Sequence, residues 1–516
     1  MNIDDYNEII TAFNDGRKYD VMRLLNRLGS EPLCDPFLIQ IMALSRDKRI
    51  DERCLLEMAA YDCPVIDAQA LFNLGVCQQE QGEIGKALLS YRQALRLNPV
   101  HTGALNNISD LLRRQGRSEE AWLAITAYLN AGAEPHGLEV RIAKIADDCG
   151  LTDEAEVWFA KAAAKDPDNH QIGWEWAMQL LRDEKFAAGW QGYEARKEIF
   201  SHDALAIVRY VAPQWDGTSL SGKTLLVHKE QGLGDSIMFA SCLQDILPLA
   251  QKLHIAVQPP LARLFKESFP DAEVWPSNSH SAADGEEHQS WRALAGHYDF
   301  QVPFGSLPLH LRSEKPFPQP KVYIRPNSRD VILWRERITA LSPANADTLR
   351  AGLVISARRD GSAGAGIAEG PPKCLPARMA ADLVNPEVTW FGLHDLTTAC
   401  DLAEVPKLDV IDTSPWLHDL ADTAALIANL DVVVAVDTAV AHLAGAMGKK
   451  VLLMLRRHAD WRWGRGRKDS YWYSDIEIFR QKDEGLWYPV VTEVAHRLAE
   501  IVAERGGAFA SSRTGA

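Results

Sequence analysis

The chain has 516 residues, of which 47% are hydrophobic and 24% charged, so it is long enough for several globular domains. Its formal net charge of -15 disfavours nucleic acid as a partner, because such a chain repels phosphate backbones. The N-terminus is acidic, which predicts that there is no signal peptide, and no apolar run is long enough to predict a membrane span. The eight cysteines are scattered, and neither a CxxC nor an HExxH motif is present, so we expect no metal site and a cytoplasmic protein.

The first 200 residues contain a pattern that recurs every 34 residues. Turn glycines, small residues and large apolar residues take equivalent positions: Gly82, Gly116 and Gly150; Ala87, Ala121, Ala155 and Gly189; Tyr91, Ile125, Phe159 and Tyr193. The glycine permits a turn between two helices, the small residue allows close helix approach, and the large residue fills the space between helices. The pattern resembles the tetratricopeptide repeat and predicts an all-α superhelix over residues 1–200, with two worn units in residues 1–64.

A stacked array of this kind forms an extended groove that commonly holds a peptide or a protein. The repeats therefore predict a protein partner in that groove. The alternative is a scaffold that only dimerises the rest of the chain.

After Trp215-Asp216-Gly217 the pattern changes to alternating strands and helices, which predicts parallel sheets with crossover helices. Predicted strands cover 223–228, 253–257, 298–302, 352–356, 389–391, 408–412, 430–436 and 450–455, and predicted helices cover 236–250 and 488–505. We therefore expect two Rossmann-like α/β lobes, residues 201–326 and 346–505. A linker helix in 327–345 joins them, 276–290 is a polar surface loop, and 506–516 is a disordered tail.

The segment from Glu230 to Ser236 follows a predicted strand and begins a helix. Gly232 and Gly234 permit close approach of a ligand to the backbone, and the helix N-terminus offers free N–H groups to an anion. Asp235 is either a general base or a charge that caps the helix. The alternative for the whole segment is a tight turn with a cap.

A second motif follows the buried strand that begins at Asp431. The strand ends at Asp437-Thr438, a small-residue helix begins there with Ala439, and His442 lies one helical turn on. These groups can together bind a diphosphate, whereas the alternative is a capped helix with a core histidine.

A third motif places aromatic residues beside arginines. It comprises Asp460-Trp461-Arg462-Trp463 and the later Phe479-Arg480-Gln481. Such pairs suit the edge of a base, sugar or phosphate, and the alternative is packing of a terminal subdomain against the sheet.

Together, the repeats, these motifs and the string from Asp437 to Ala446 resemble bacterial repeat-containing glycosyltransferases related to the heptosyltransferases of family 9. The resemblance covers nearly the whole chain. It implies a two-lobed GT-B fold, with the acceptor on the N-terminal lobe and a nucleotide-sugar donor on the C-terminal lobe. It also implies transfer with inversion, needing no metal and no cofactor besides the donor as co-substrate.

The same resemblance assigns roles to residues. Asp235 matches the catalytic base, while Asp437, Thr438, Ala439 and His442 match the donor-phosphate segment. Lys373 falls where relatives carry an arginine, after an altered glycine- and alanine-rich loop between Ser356 and Gly370, and Lys450 replaces a usual proline. With Gly232, Gly234, Trp461 and Arg462, these residues form the predicted donor site.

The leading functional hypothesis is a glycosyltransferase that modifies Ser or Thr of a protein acceptor held by the repeats. Flagellin is a candidate acceptor by resemblance alone. Two alternatives remain: a transferase acting on lipopolysaccharide or another glycan, and a non-catalytic adaptor whose transferase domain is degenerate.

Overall fold

The computed structural model describes residues 67–199, 212–277, 297–312, 322–343, 348–356, 373–393 and 408–513, together with Glu8, Thr11 and Ala12. The chain divides into two compact units, residues 1–165 and 166–516. The worn repeats predicted in residues 1–64, most of the polar loop at 276–290 and most of the altered loop at 356–370 lie outside the described residues.

The first unit consists of paired helices, as the 34-residue period predicts. The described helices are α1 (Ala68–Glu80), α2 (Ile84–Leu97), α3 (Thr102–Arg114), α4 (Ser118–Asn130), α5 (Glu139–Asp148) and α6 (Thr152–Lys165). Gly82, Gly116 and Gly150 lie between paired helices with φ of 79°, 74° and 78°, a left-handed backbone that glycine adopts without steric cost. The repeat prediction is confirmed.

A further helical pair belongs to the second unit and continues the same period. It comprises α7 (His170–Arg182) and α8 (Phe186–Tyr193), followed by the short α9 (Arg196–Ile199). The boundary between compact units therefore falls at 165/166, before the predicted array boundary at residue 200. The physical reason is packing, because Leu181, Trp190 and Tyr193 lie in the same hydrophobic core as the first α/β sheet.

The first lobe contains a parallel sheet in the order β3-β2-β1-β4. Its strands are β1 (Thr224–His228), β2 (Lys252–Val257), β3 (Glu273–Pro276) and β4 (Phe300–Pro303). Its helices are α10 (Leu233–Phe239), α11 (Leu243–Ile246), α12 (Pro259–Ser268) and α13 (Leu307–Leu311). The helix predicted at 236–250 is thus two short helices joined by a 3-10 turn at Ala240–Cys242.

The second lobe contains a six-stranded parallel sheet in the order β10-β9-β8-β5-β6-β7. Its strands are β5 (Leu349–Val354), β6 (Val388–Gly392), β7 (Val410–Ile411), β8 (Val432–Val436), β9 (Lys450–Leu455) and β10 (Ile476–Arg480). Its helices are α15 (Leu420–Ala428), α16 (Ala439–Ala446) and α17 (Tyr488–Arg513). The predicted linker is α14 (Ser328–Leu341), whose first turn is capped by Asn327.

The two predicted α/β lobes are confirmed, and two details differ from the sequence-based prediction. Strand β10 was missed, although the alternation of Ile476, Glu477 and Ile478 is a strand pattern. Helix α17 continues to Arg513, so residues 506–513 of the predicted disordered tail are helical.

Candidate functional site

The candidate site begins at the loop that joins β1 to α10. Asp235 lies in the first turn of α10, and its Oδ2 accepts a hydrogen bond of 3.0 Å from the backbone N–H of Gly232. Its Oδ1 accepts from Nη2 of Arg462. Both oxygens of the predicted base therefore have partners: one caps the helix and the other forms an ion pair.

Gly234 is the point at which this loop meets α16 of the second lobe. A Cβ placed on Gly234 would lie 3.0 Å from Cδ2 of His442 and 3.6 Å from Cα of Ala439. The glycine predicted to admit a ligand thus also permits contact between the two motifs. Asp235 and His442, on the two lobes, consequently belong to one cluster.

The N-terminus of α16 follows the carboxyl end of β8. Thr438 caps it, with Oγ1 accepting from the N–H of Ala441 at 3.4 Å. Asp437 precedes the cap and receives hydrogen bonds of 2.9 Å from Nζ of Lys373 and from Nε1 of Trp463. Asp437 therefore holds a cation and an indole ring beside the helix terminus. This is the position at which parallel sheets commonly bind ligands.

His442 is buried among aromatic residues. Its Nδ1 lies 2.8 Å from the hydroxyl of Tyr473, and its ring stacks on Trp463 with 4.9 Å between centroids. Burial lowers the pKa of His442 to about 4, and the nearby charge of Asp437 offsets this only in part. The imidazole is therefore neutral near pH 7, so it offers hydrogen bonding and no positive charge to an anion.

Arg462 connects the two lobes. Its Nη1 donates to Oδ1 of Asp460 at 2.5 Å, while its Nη2 reaches Asp235 and, at 3.4 Å, the side-chain oxygen of Gln231. Burial opposes the charged form of Arg462, but Asp235 and Asp460 outweigh burial and hold its pKa well above the usual value. The guanidinium is charged and placed between two carboxylates.

Lys373 keeps its charge at this site. Burial acts to lower its pKa, yet Asp437 and Asp460 outweigh burial and raise the pKa above its ordinary value. The lysine that replaces the expected arginine therefore supplies a point charge, without the bidentate geometry of a guanidinium.

Trp461 occupies a different environment from the other predicted donor-binding residues. It is 2% exposed and packs edge-on against Trp190 and Tyr193, with centroids 5.4 Å and 5.6 Å away. A ring so enclosed has almost no surface left for a ligand. Its observed role is packing, in agreement with the alternative reading of this motif, and the predicted donor contact has no support in this geometry.

Arg480 is a cation at this edge that the predicted site omitted. It ends β10, and its Nη2 donates to the carbonyls of Trp463 and Gly464 at 3.1 Å. Burial and the charges of Arg182 and Arg465 lower its pKa to about 10. The sequence signal was the Phe479-Arg480-Gln481 segment, whose position at a strand end became evident only with the sheet.

Three carboxylates (Asp235, Asp437 and Asp460) thus face two cations (Arg462 and Lys373) around the neutral His442. Within the described residues, no group of three or more His, Cys, Asp or Glu side chains is placed to hold a metal ion. Likewise, no helix in that part of the chain is both long and apolar enough to cross a bilayer.

The repeat unit presents large apolar side chains to solvent at a regular spacing. Leu89, Leu123 and Val157 are 34 residues apart in α2, α4 and α6, and they are 40%, 69% and 49% exposed. We name this set the aliphatic ladder. Leu123 also lines a cavity of about 350 Å³ between α2, α3 and α4, whose rim includes Arg92 and Arg96. Exposed side chains that recur at the repeat period offer regularly spaced contacts to a partner of a repeat array.

Comparison with known proteins yields matches in both units. Residues 68–101 match the tetratricopeptide repeat family, and residues 417–478 match glycosyltransferase family 9 (heptosyltransferase). Protein FlbA of Caulobacter vibrioides is 26% identical over 451 residues, which cover 85% of this chain and 68% of that protein.

Two solved structures are also similar. The E. coli ADP-heptose lps heptosyltransferase II is 13% identical, with 54% of this chain and 99% of that chain covered and a TM-score of 0.39. The glycosyl transferase family 9 protein of Veillonella parvula is 12% identical, with coverages of 52% and 88% and a TM-score of 0.38.

Proposed function

We propose that this chain, which carries a tetratricopeptide repeat followed by a glycosyltransferase family 9 domain, transfers a sugar from a nucleotide-sugar donor to a hydroxyl group of a protein acceptor. The observation that carries the proposal is the cluster in which Asp235 of the first lobe faces Arg462 and His442 of the second. A carboxylate acting as base and groups able to stabilise a departing diphosphate are the two requirements of such a transfer.

In this mechanism Asp235 removes the proton of the acceptor hydroxyl as the acceptor oxygen bonds to the anomeric carbon and the bond from that carbon to the diphosphate breaks. The pairing with Arg462 gives the reaction an order. The negative charge of a donor diphosphate competes for the guanidinium, and its arrival frees Oδ1 of Asp235 for the acceptor. The donor therefore binds before the acceptor. Arg462 exchanges its ion pair with the base, Asp235, for one with the diphosphate leaving group.

The N-terminus of α16 and Lys373 contribute to binding of the leaving group. Helix N-termini favour anions, and the ammonium adds a point charge. Arg480, whose pKa is lowered by burial and by neighbouring guanidinium groups, adds positive potential at the same sheet edge. Asp437 acts through the lysine and indole that it holds.

The first experiment compares the wild-type chain with Asp235→Asn in a transfer assay, using intact mass of candidate surface proteins, flagellin first, as the readout. Loss of a general base lowers the rate by about 10²- to 10⁴-fold. We expect the variant to bind the donor at least as tightly as wild type, because the asparagine side chain no longer competes as a charge for Arg462, and to leave the acceptor mass unchanged. Equal sugar loads with both proteins would remove Asp235 from the mechanism.

The protein acceptor is supported by the aliphatic ladder on the repeat unit. We expect Leu123→Glu to weaken capture of the acceptor because it places a charge beside an apolar cavity. Gln69→Glu is the matched control, since it adds the same charge to an exposed position of α1 outside the ladder. Donor binding stays the same in both. If a glycan acceptor is modified equally by all three proteins, the glycan transferase is the better hypothesis.

A non-catalytic adaptor is the second candidate, and one observation favours it: both oxygens of Asp235 and the ammonium of Lys373 already have partners. Calorimetric titration with UDP-, GDP-, ADP- and CMP-linked sugars distinguishes the two. Binding of one donor supports the transferase, and binding of none supports the adaptor.

A further inference from the structure

Arg196, which follows the last helical pair, is almost completely buried. It is 1% exposed, and its Nε and Nη2 donate to the two oxygens of Glu230 at 2.9 Å and 3.0 Å. Its remaining donors reach the carbonyl of Tyr193, the carboxylate of Glu194 and the hydroxyl of Ser306 at 2.8–2.9 Å. A guanidinium with this many partners has one fixed geometry.

Glu230 is equally constrained. Its side chain is 3% exposed, and Oε1 also accepts a hydrogen bond of 2.7 Å from the backbone N–H of Gly305. A Cβ on Gly305 would lie only 2.2 Å from that oxygen. The first residue of the motif segment is therefore held on one side by Arg196 and on the other by the backbone that follows β4.

The next residue of the motif is held from the same helical pair. The hydroxyl of Tyr193 and the side-chain amide of Gln231 are hydrogen bonded at 3.0 Å, and the backbone carbonyl of Gln231 accepts from Gln258 at 2.7 Å. Gly232 then follows, and its N–H donates to Asp235. A continuous chain of contacts thus leads from Arg196 through Glu230 to the carboxylate of Asp235.

The same helical pair also contacts the loop that carries Arg462. Asp183 accepts from Nε of Arg465 at 2.6 Å, and Glu184 accepts from Nη1 of Arg467 at 2.8 Å. Trp190 packs against Trp461. The helices that continue the repeat period therefore contact both sides of the Asp235–Arg462 pair.

We propose that Arg196 is a positioning residue for the transfer reaction: through its fork to Glu230 it fixes the backbone of residues 230–235 and thereby the carboxylate of Asp235. The last helical pair, together with the short α9 that follows it, is then a part of the enzyme that orients the base. The inference rests on the proposed role of Asp235. A shift of about 1 Å in a reacting group is enough to lower a rate by about 10²-fold.

The test uses the full chain with Arg196→Lys, which keeps the charge and loses the fork, and Gly305→Ala, which displaces Glu230 from the other side. Arg312→Lys is the matched control. Arg312 is another buried arginine of the first lobe, and the bonds described for it go to Asp245 and Ser241, outside the 230–235 loop. Hydrogen exchange of residues 229–239, kcat and donor KM are measured for each protein.

We expect Arg196→Lys and Gly305→Ala to raise exchange in residues 229–239 by about 10-fold and to lower kcat by about 10- to 10²-fold, with donor KM changed less than about threefold. Arg312→Lys lowers the melting temperature without either effect. The proposal is overturned if Arg196→Lys and Gly305→Ala behave like the control. Should wild type transfer no sugar, the proposed function fails, while the exchange data still decide whether Arg196 fixes the loop.

Discussion

Replacement of His442 tests the electrostatics of the candidate site without any knowledge of the substrate. The imidazole is neutral in the folded protein because burial lowers its pKa to about 4, against an ordinary value of 6.5. Between these two values the unfolded chain binds a proton that the folded chain does not. Stability therefore falls as the pH falls through this window, and above pH 6.5 the histidine has no effect of this kind.

The magnitude follows from the two pKa values. One pKa unit corresponds to about 1.4 kcal/mol, so the difference between about 4 and 6.5 corresponds to a loss of about 3 kcal/mol on going from pH 7 to pH 4. Asp437 and Asp460 have lowered pKa values, and their stabilising contribution is lost progressively as the pH falls from the ordinary aspartate pKa of 3.8 towards the lowered values. Within the histidine window, His442 is thus the dominant titrating group of this cluster.

The assay is urea unfolding of the wild-type chain and of His442→Gln at intervals of half a pH unit from 4.5 to 7.5. His136→Gln, at an exposed position of the first unit, is the control. The variant loses the contact with Tyr473 at every pH, so its stability is lower at pH 7.5. The difference from wild type then shrinks by about 2 to 3 kcal/mol towards pH 4.5. A difference that stays constant across the range would refute the neutral, buried imidazole.

Three further changes have expected outcomes that thermal or urea unfolding measures. Glu184 has a φ of 60° and pairs with Arg467. The variants Glu184→Gly and Glu184→Ala both lose that ion pair, so they differ only in how well they adopt the left-handed backbone. The glycine variant should therefore be the more stable of the two by about 1 kcal/mol. Gly445→Ala places a Cβ 2.6 Å from the Tyr473 ring and should cost about 1 to 3 kcal/mol; a silent substitution would contradict the close packing. Trp190→Ala removes a fully buried ring and should cost the second unit about 3 to 5 kcal/mol while the first unit unfolds as in wild type.

The repeat period could be predicted from the sequence because each of its positions meets a local structural requirement. A turn needs a left-handed residue, and the glycines at 82, 116 and 150 provide it. The period places residue 184 at the next such turn, where glutamate stands with the same left-handed backbone. The sequence could not reveal what this glutamate does, since its carboxylate pairs with Arg467, 283 residues away.

The candidate site likewise has a part that the sequence predicts and a part that only the structure reveals. Asp235 and Asp437 were predictable because each follows a buried strand and begins a helix, and parallel sheets bring such ends to one edge. Their partners were not predictable, because Arg462 reaches Asp235 across two lobes and the burial of Trp461 depends on Trp190. An aromatic residue beside an arginine has the same sequence pattern whether its ring faces a ligand or the core.

The last helical pair belongs to the second compact unit because of its contacts with both α/β lobes. Its internal residues obey the repeat period, yet Tyr193 and, just after the pair, Arg196 bind a loop of the first lobe. Asp183 and Glu184 bind a loop of the second. The repeat period reflects how the two helices of a pair pack against each other. It carries no information about what contacts the other faces of those helices. A truncation that removes residues 1–200 would therefore leave Glu230 without its guanidinium, and the cut that tests the array alone falls after Lys165.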